Sequence, residues 1–164
     1  MGRLILLLGG NQGDMHETIS MTHSLLEKYV GDIVEVSALY ESEPWGFEAD
    51  NNFINQVAEI DTLLLPEEVL TQTQSIEKFL GRERKSTGAY TSRPIDIDIL
   101  FFDDIKVSLP ELTIPHPRLH ERMFTLLPLS EKWSSLHHPV LNKTVKQLYD
   151  ECTDTGWVKR LLKG

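Results

Sequence analysis

The chain is poor in cysteine: Cys152 stands alone among 164 residues. An internal disulfide is excluded, as is a structural zinc site built on paired cysteines, so the fold has to stand on packing. Cys152 itself reads as a small hydrophobe. Long apolar runs are also missing. The longest, Leu4 to Leu8, falls far short of the roughly 20 residues a bilayer span needs, and the amino terminus lacks the basic region and cleavage site of a secretory signal. The chain is therefore expected in the cytoplasm. Positive charge is in deficit, with 16 Lys and Arg against 25 Asp and Glu and a formal net charge of −9. That balance disfavours nucleic acid or an anionic membrane as partner, since both reward a basic surface. Repeats, low-complexity tracts and linkers are absent. With 40% hydrophobic residues, residues 1–164 are long enough for one self-sufficient core and are expected to form a single domain. No segment reads as a large unexplained apolar face, so a monomer is expected.

What is present is a regular alternation of strand and helix patterns. "RLILLL" (3–8) is a continuous apolar run ending in Gly9 and Gly10, as a buried strand entering a tight loop would be. A helix follows, opened by Asp14 with Glu17 three residues on and carried by Ile19, Leu25, Leu26 and Tyr29. "DIVEVSALY" (32–40) alternates with period two and predicts a strand with Val34, Val36, Ala38 and Tyr40 on one face. Pro44 and Gly46 break the pattern, and "NFINQVAEI" resumes it as an antiparallel neighbour. A second helix opens at Pro66, with Glu67 and Glu68 in its first turn, and stops at Gly81. Ile95 to Phe102 is the most strand-like segment of all. Shorter pieces follow, with helices expected around Phe124 to Leu129 and Thr144 to Cys152, and a tail "WVKRLLKG" that reads as a packed helix or a frayed end. The order β-α-β-β-α-β predicts an α+β fold, a ferredoxin-like α/β/α sandwich with helices covering a mainly antiparallel sheet.

The chemistry concentrates in "TSRPIDIDILFFDD" (91–104). Residues two apart on a strand face the same way at roughly 6 to 7 Å, so Asp96 and Asp98 share one face while Ile95, Ile97, Ile99 and Phe101 share the other. An acidic pair of this kind can be the solvated side of an amphipathic strand. Three features favour a site. The aspartates' own face continues with Leu100 and Phe102. Arg93 lies three residues upstream, at the end of a basic loop with Arg82, Arg84 and Lys85. Two like charges held this close also raise one another's pKa unless a cation is supplied. Oxygen ligands without histidine or cysteine point to Mg²⁺, which keeps several waters and is completed by substrate phosphates. Two such carboxylates can hold a pair of ions that clamp a polyphosphate, while arginines take up the remaining charge and a glycine-bearing loop closes over the site. The residues thus argue for phosphoryl transfer on a nucleotide.

Other segments are more ambiguous. "LGGNQGD" lacks the Lys-Ser/Thr ending of a phosphate-cradling Walker loop and reads as a tight strand-to-helix turn. Trp45, Phe47 and Phe53 cluster with Asn55, which suits either core packing or the grip of a flat heterocycle by stacking and amide hydrogen bonds. His116, between Pro115 and Pro117, has no partner at metal-ligand spacing and reads as a hydrogen-bonded imidazole in a rigid loop.

Taken in order, "LGGNQGD", "YESEPWG", "NFINQV", "QSIEKFLGRERK", "SRPIDIDILFFDD" and "LTIPHPRLHERMFTLLPL" closely resemble the 6-hydroxymethyl-7,8-dihydropterin pyrophosphokinase family over about residues 4–130. The resemblance implies transfer of the β,γ-pyrophosphoryl group of ATP to the pterin hydroxymethyl with release of AMP, a step of folate biosynthesis that uses two Mg²⁺ ions. On that likeness Asp96 and Asp98 bridge the metals, and Arg82 and Arg93 contact the phosphates. Phe53 and Phe124 sandwich the pterin, Asn55 hydrogen-bonds it, and Ser42 and Trp45 read its edge through the backbone. Gln74, Glu77, Thr113, His116 and Arg122 line the ATP site, Ile99 offers backbone contact to adenine, and Arg84 and Lys85 fall in the catalytic loop. The chain departs from the family pattern at Gly10, where serine is usual, and at Thr91 and Ser92, which replace Gly-Pro ahead of the catalytic arginine. Competing expectations are a non-catalytic ferredoxin-like ligand-binding module and a kinase that delivers a single phosphoryl group.

Overall fold

The computed structural model describes residues 1–43, 52–81 and 94–161. Among them the chain forms strands β1 (Gly2–Gly10), β2 (Gly31–Val36), β3 (Tyr40–Ser42), β4 (Phe53–Thr62), β5 (Asp96–Phe102), β6 (Val107–Leu109), β7 (Leu112–Ile114), β8 (His137–His138), β9 (Lys143–Thr144) and β10 (Val158–Arg160). The helices are α1 (Met15–Tyr29), α2 (Pro66–Phe79), α3 (Met123–Lys132) and α4 (Val145–Glu151), with a 3₁₀ turn at Leu119–Glu121. The main sheet runs β10-β3-β4-β1-β5, β2 also pairs with β4, and every pairing is antiparallel.

Local chemistry explains most boundaries. Asp14 accepts a hydrogen bond from the Glu17 N–H and caps α1, as an acidic N-cap should. Pro66 opens α2, where its missing N–H costs nothing. Gly81 follows α2 at φ 104°, a left-handed conformation that a side chain would resist. Thr144 and Gln147 close a reciprocal capping box on α4.

The continuous apolar run of β1 is explained by its place between β4 and β5, where both faces are covered. Leu4, Leu6 and Leu8 join Ile19 and Leu26 of α1 and Val69 and Ile76 of α2 in one core. Ile5 and Leu7 join Leu126 and Leu129 of α3 and Val145 and Leu148 of α4 in the other. The sheet is therefore the middle layer of an α/β/α sandwich, and each fully buried Leu or Ile contributes about 1.5–3 kcal/mol to it.

Three expectations are corrected. The strand predicted over 32–40 is two strands, β2 and β3, with an irregularity between Ile33 and Glu35. Val34 is consequently 52% exposed while Tyr40 is buried. Ser37 makes the break: its N–H bonds Val57 O and its hydroxyl accepts from Val57 N–H. Second, β5 is bulged. Leu6 pairs with Ile99 and Ile5 with Phe101, leaving Leu100 as the extra residue. Beyond such a bulge the alternation reverses. Phe101 accordingly packs with Leu100 against α3 and α4, and Phe102 joins Ile97 and Ile99 on the α1 and α2 side. Third, the tail is neither helix nor frayed end over 158–160, which pair with β3.

Candidate active site

Two rows of directly opposed residues cross the sheet on its α3 and α4 side. In the first, Gly9 of β1 lies between Asn55 of β4 and Asp96 of β5; in the second, Leu7 lies between Val57 and Asp98. Opposed residues in an antiparallel pair share a face. The fold thus places Asn55, Asp96 and Asp98 together, although Asn55 and Asp96 stand 41 residues apart in the chain. Gly9 is the reason the amide has room, because a Cβ there would collide with Asn55 Oδ1. Ser42 of β3 opposes Phe53, and Asn55 Nδ2 reaches Ser42 Oγ at 3.4 Å. Asn55 and Ser42 are buried and Phe53 is half-buried.

Phe124 enters from the first turn of α3 and packs half-buried against the same core. The Arg122 guanidinium lies over its ring at 5.5 Å, within cation–π range. Arg122 Nε is itself buried and has no hydrogen-bond partner among the described residues. Where a planar or anionic ligand enters, this is a donor awaiting an acceptor.

Because β5 is at the edge of the sheet, its outer side borders a cavity of about 250 Å³. Leu70 of α2, Ile97, Asp98 and Ile99 of β5, the β6-β7 turn from Pro110 to Thr113, and His116 with Pro117 form its walls. The Ile97 N–H points outward and donates to Glu77 Oε2 at 2.7 Å. By strand alternation the Ile99 N–H lies on the same outer edge. Glu77 is buried, whereas Gln74, one turn earlier on α2, is exposed. Thr113 is exposed on the cavity wall.

His116 joins the two regions. Its N–H donates to Leu100 O at 3.0 Å, just at the bulge, and its Nδ1 accepts from the Arg118 N–H at 3.1 Å. Burial foremost, with the Arg122 charge behind it and opposed by Asp96, lowers its pKa from 6.5 to about 4. The ring is neutral at physiological pH, and with Nδ1 engaged as acceptor it carries its proton on Nε2.

The structure therefore brings together Ser42, Phe53, Asn55, Asp96, Asp98, Ile99, Thr113, His116, Arg122 and Phe124, with Glu77 holding β5 from behind. Trp45, Arg82, Arg84, Lys85 and Arg93 lie outside the described residues. Sequence reasoning missed Gly9, whose paired glycines were read only as a turn, and Leu70, Pro110, Glu111 and Leu112, which carry no local signal of a cavity wall. Among the described residues no three His, Cys, Asp or Glu side chains converge to hold a metal ion. Two carboxylates on one strand face still suit Mg²⁺, which takes few protein ligands and keeps water and phosphate oxygens for the rest.

Comparisons with known proteins place the chain in a family. The model of the 7,8-dihydro-6-hydroxymethylpterin-pyrophosphokinase family matches residues 5–133. A 2-amino-4-hydroxy-6-hydroxymethyldihydropteridine pyrophosphokinase of Porphyromonas gingivalis is 44% identical over 139 residues, covering 84% of this chain and 95% of the relative. The folic acid synthesis protein fol1 of Schizosaccharomyces pombe is 36% identical over 152 residues, covering 92% of this chain but only 20% of that longer protein. In fold, the chain superimposes on the wild-type HPPK-DHPS crystal structure of Plasmodium falciparum with a TM-score of 0.73 at 20% identity. That match covers 92% of this chain and 44% of the other, so the chain spans less than half of that structure. From the extent of the family match and the identity to its bacterial relative, the chain belongs to the 7,8-dihydro-6-hydroxymethylpterin-pyrophosphokinase family.

Proposed function

We propose that the chain transfers the β,γ-pyrophosphoryl group of ATP to the hydroxymethyl oxygen of 6-hydroxymethyl-7,8-dihydropterin, giving AMP and the pterin diphosphate in folate biosynthesis. The observation that carries this reading is the shared sheet face of Asn55, Asp96 and Asp98 around Gly9, bordering the cavity at the β5 edge. Such a face can hold an acceptor alcohol beside a polyphosphate, and holding the two reactants in line is the larger part of catalysis for a loose phosphoryl transition state.

The pterin is assigned to the cleft between Phe53 and Phe124, with the Asn55 amide hydrogen-bonding its edge beside Ser42 and Trp45. Adenine is assigned to the cavity lined by Leu70, Ile99 and Thr113, with Gln74 and Glu77 on the α2 side. Asp96 and Asp98 would hold two Mg²⁺ ions, which supply charge neutralisation along the triphosphate when bound. His116 offers its Nε2–H to a phosphate oxygen, and the Arg122 guanidinium adds fixed positive charge. Arg82, Arg84, Lys85 and Arg93 supply cations to the transferring group and its leaving AMP. The attacking alcohol loses its proton late in such a transition state, so a strong base is not demanded; we assign Asp98 as its acceptor. We further assign residues 1–164 to one domain acting as a monomer in the cytoplasm; no helix among the described residues is long and apolar enough to cross a membrane.

Phosphorus NMR of the chain with MgATP and the hydroxymethyl pterin tests this. AMP is the expected product. ADP would indicate a kinase delivering one phosphoryl group, and absence of turnover a ligand-binding module.

A further inference from the structure

Helix α3 begins without a cap of its own. Its N-cap residue, Arg122, makes no side-chain capping bond. The first helical N–H, that of Met123, instead donates to Asp154 Oδ2 at 2.9 Å, from 31 residues further along the chain. The other carboxylate oxygen accepts from the Gly156 N–H at 2.9 Å, which locks the side chain's direction. An anionic acceptor at this place satisfies an orphan donor and meets the positive end of the helix dipole.

The segment that carries Asp154 does not stop there. It continues into β10, where Val158 opposes Ser42 and Arg160 opposes Tyr40 on β3, and the Leu161 N–H reaches Leu39 O at 2.8 Å. β10 also packs against α3. A single strap, residues 154–161, thus bonds both to the start of α3, one residue before Phe124, and to β3 at Ser42. It lies wholly beyond the 5–133 stretch that carries the family match.

We infer that Asp154 is a positioning residue for the pterin, setting the place of Phe124 by capping α3 from a strap that simultaneously fixes β3. The inference rests on the assignment of the pterin to the cleft between Phe53 and Phe124. It requires the effect to be selective. Residues 154–161 do not line the nucleotide cavity, and only Arg122, the N-cap of α3, links the capped turn to the triphosphate, so the loss should fall far more heavily on the pterin than on the nucleotide.

The test uses the full chain and two probes, 6-hydroxymethylpterin and α,β-methylene-ATP with Mg²⁺, each titrated by calorimetry, with the KM values of both substrates. Asp154→Ala is expected to raise the Kd and KM for the pterin by about fivefold, the size of effect one helix cap carries, with the nucleotide values within about twofold. Asp154→Asn, whose single amide oxygen can still accept from the Met123 N–H at the expense of the Gly156 contact, is expected to recover part of the lost pterin affinity. Should Asp154→Ala fail to fold, Asp154→Ser, whose shorter side chain withdraws the acceptor, is expected to give the same selective loss. Unchanged pterin affinity in either folded variant, or equal weakening of both probes, would overturn the inference. Failure of the unaltered chain to bind the pterin would instead overturn the functional assignment on which it stands.

Discussion

The buried carboxylate of Glu77 on α2 accepts the Ile97 N–H at 2.7 Å, between the two aspartates of β5. Among the described residues the outer edge of β5 has no neighbouring strand in the main sheet, so its N–H groups need other partners, and this one is met by a helix side chain. Glu77→Ala is expected to lower the unfolding free energy by about 1–3 kcal/mol, the cost of stranding a buried donor, with Glu77→Gln milder because an acceptor oxygen remains. Urea denaturation of both variants measures it, and equal stability of the two would refute the role.

Removing either acidic side chain of the pair should act on chemistry rather than on folding. Asp96→Asn and Asp98→Asn are each expected to lower kcat/KM by at least about 10²-fold, the loss typical of one electrostatic stabiliser, while leaving the thermal midpoint nearly unchanged. Chelation with EDTA should abolish turnover of the unaltered chain and added Mg²⁺ restore it. Near-native turnover of either variant at saturating Mg²⁺ would remove these residues from the reaction.

Gly9→Ala should harm the pterin side selectively. The added Cβ meets Asn55 Oδ1, and the buried amide can turn away only by disturbing its contact with Ser42 Oγ. Overpacking of this kind costs about 1–3 kcal/mol. The expected reading is a pterin KM raised about tenfold or more, with the ATP KM little altered. Equal change in both would show that Asn55 is not held for the pterin.

The His116 ring makes stability depend on pH. Burial and the Arg122 charge lower its folded pKa to about 4, against 6.5 ordinarily, so between those values the unfolded chain binds more protons than the folded one. Its contribution is fully present above pH 6.5 and is lost as the pH falls through about 4. His138, lowered mainly by burial, acts in the same sense. His116→Asn should therefore flatten, without abolishing, the decline of the thermal midpoint between pH 6.5 and 4. An unaltered decline would contradict the half-buried, neutral ring.

Signals that depend only on neighbours along the chain were readable before any fold was known. Asp14, Pro66, Gly81 and Thr144 mark helix ends through their own hydrogen bonds and backbone preferences, and the alternation around Asp96 and Asp98 marks a strand with two convergent carboxylates. Tertiary structure alone decided the rest. Whether Leu100 is a bulge, whether Ser37 breaks one strand into two, and whether 158–160 forms a strand all turn on partners far away in sequence. Likewise, Gly9 reads as a loop residue until β4 is laid beside β1 and Asn55 occupies the space its side chain would have filled. Local periodicity specifies which residues face together on an element; only the register between elements specifies what they face.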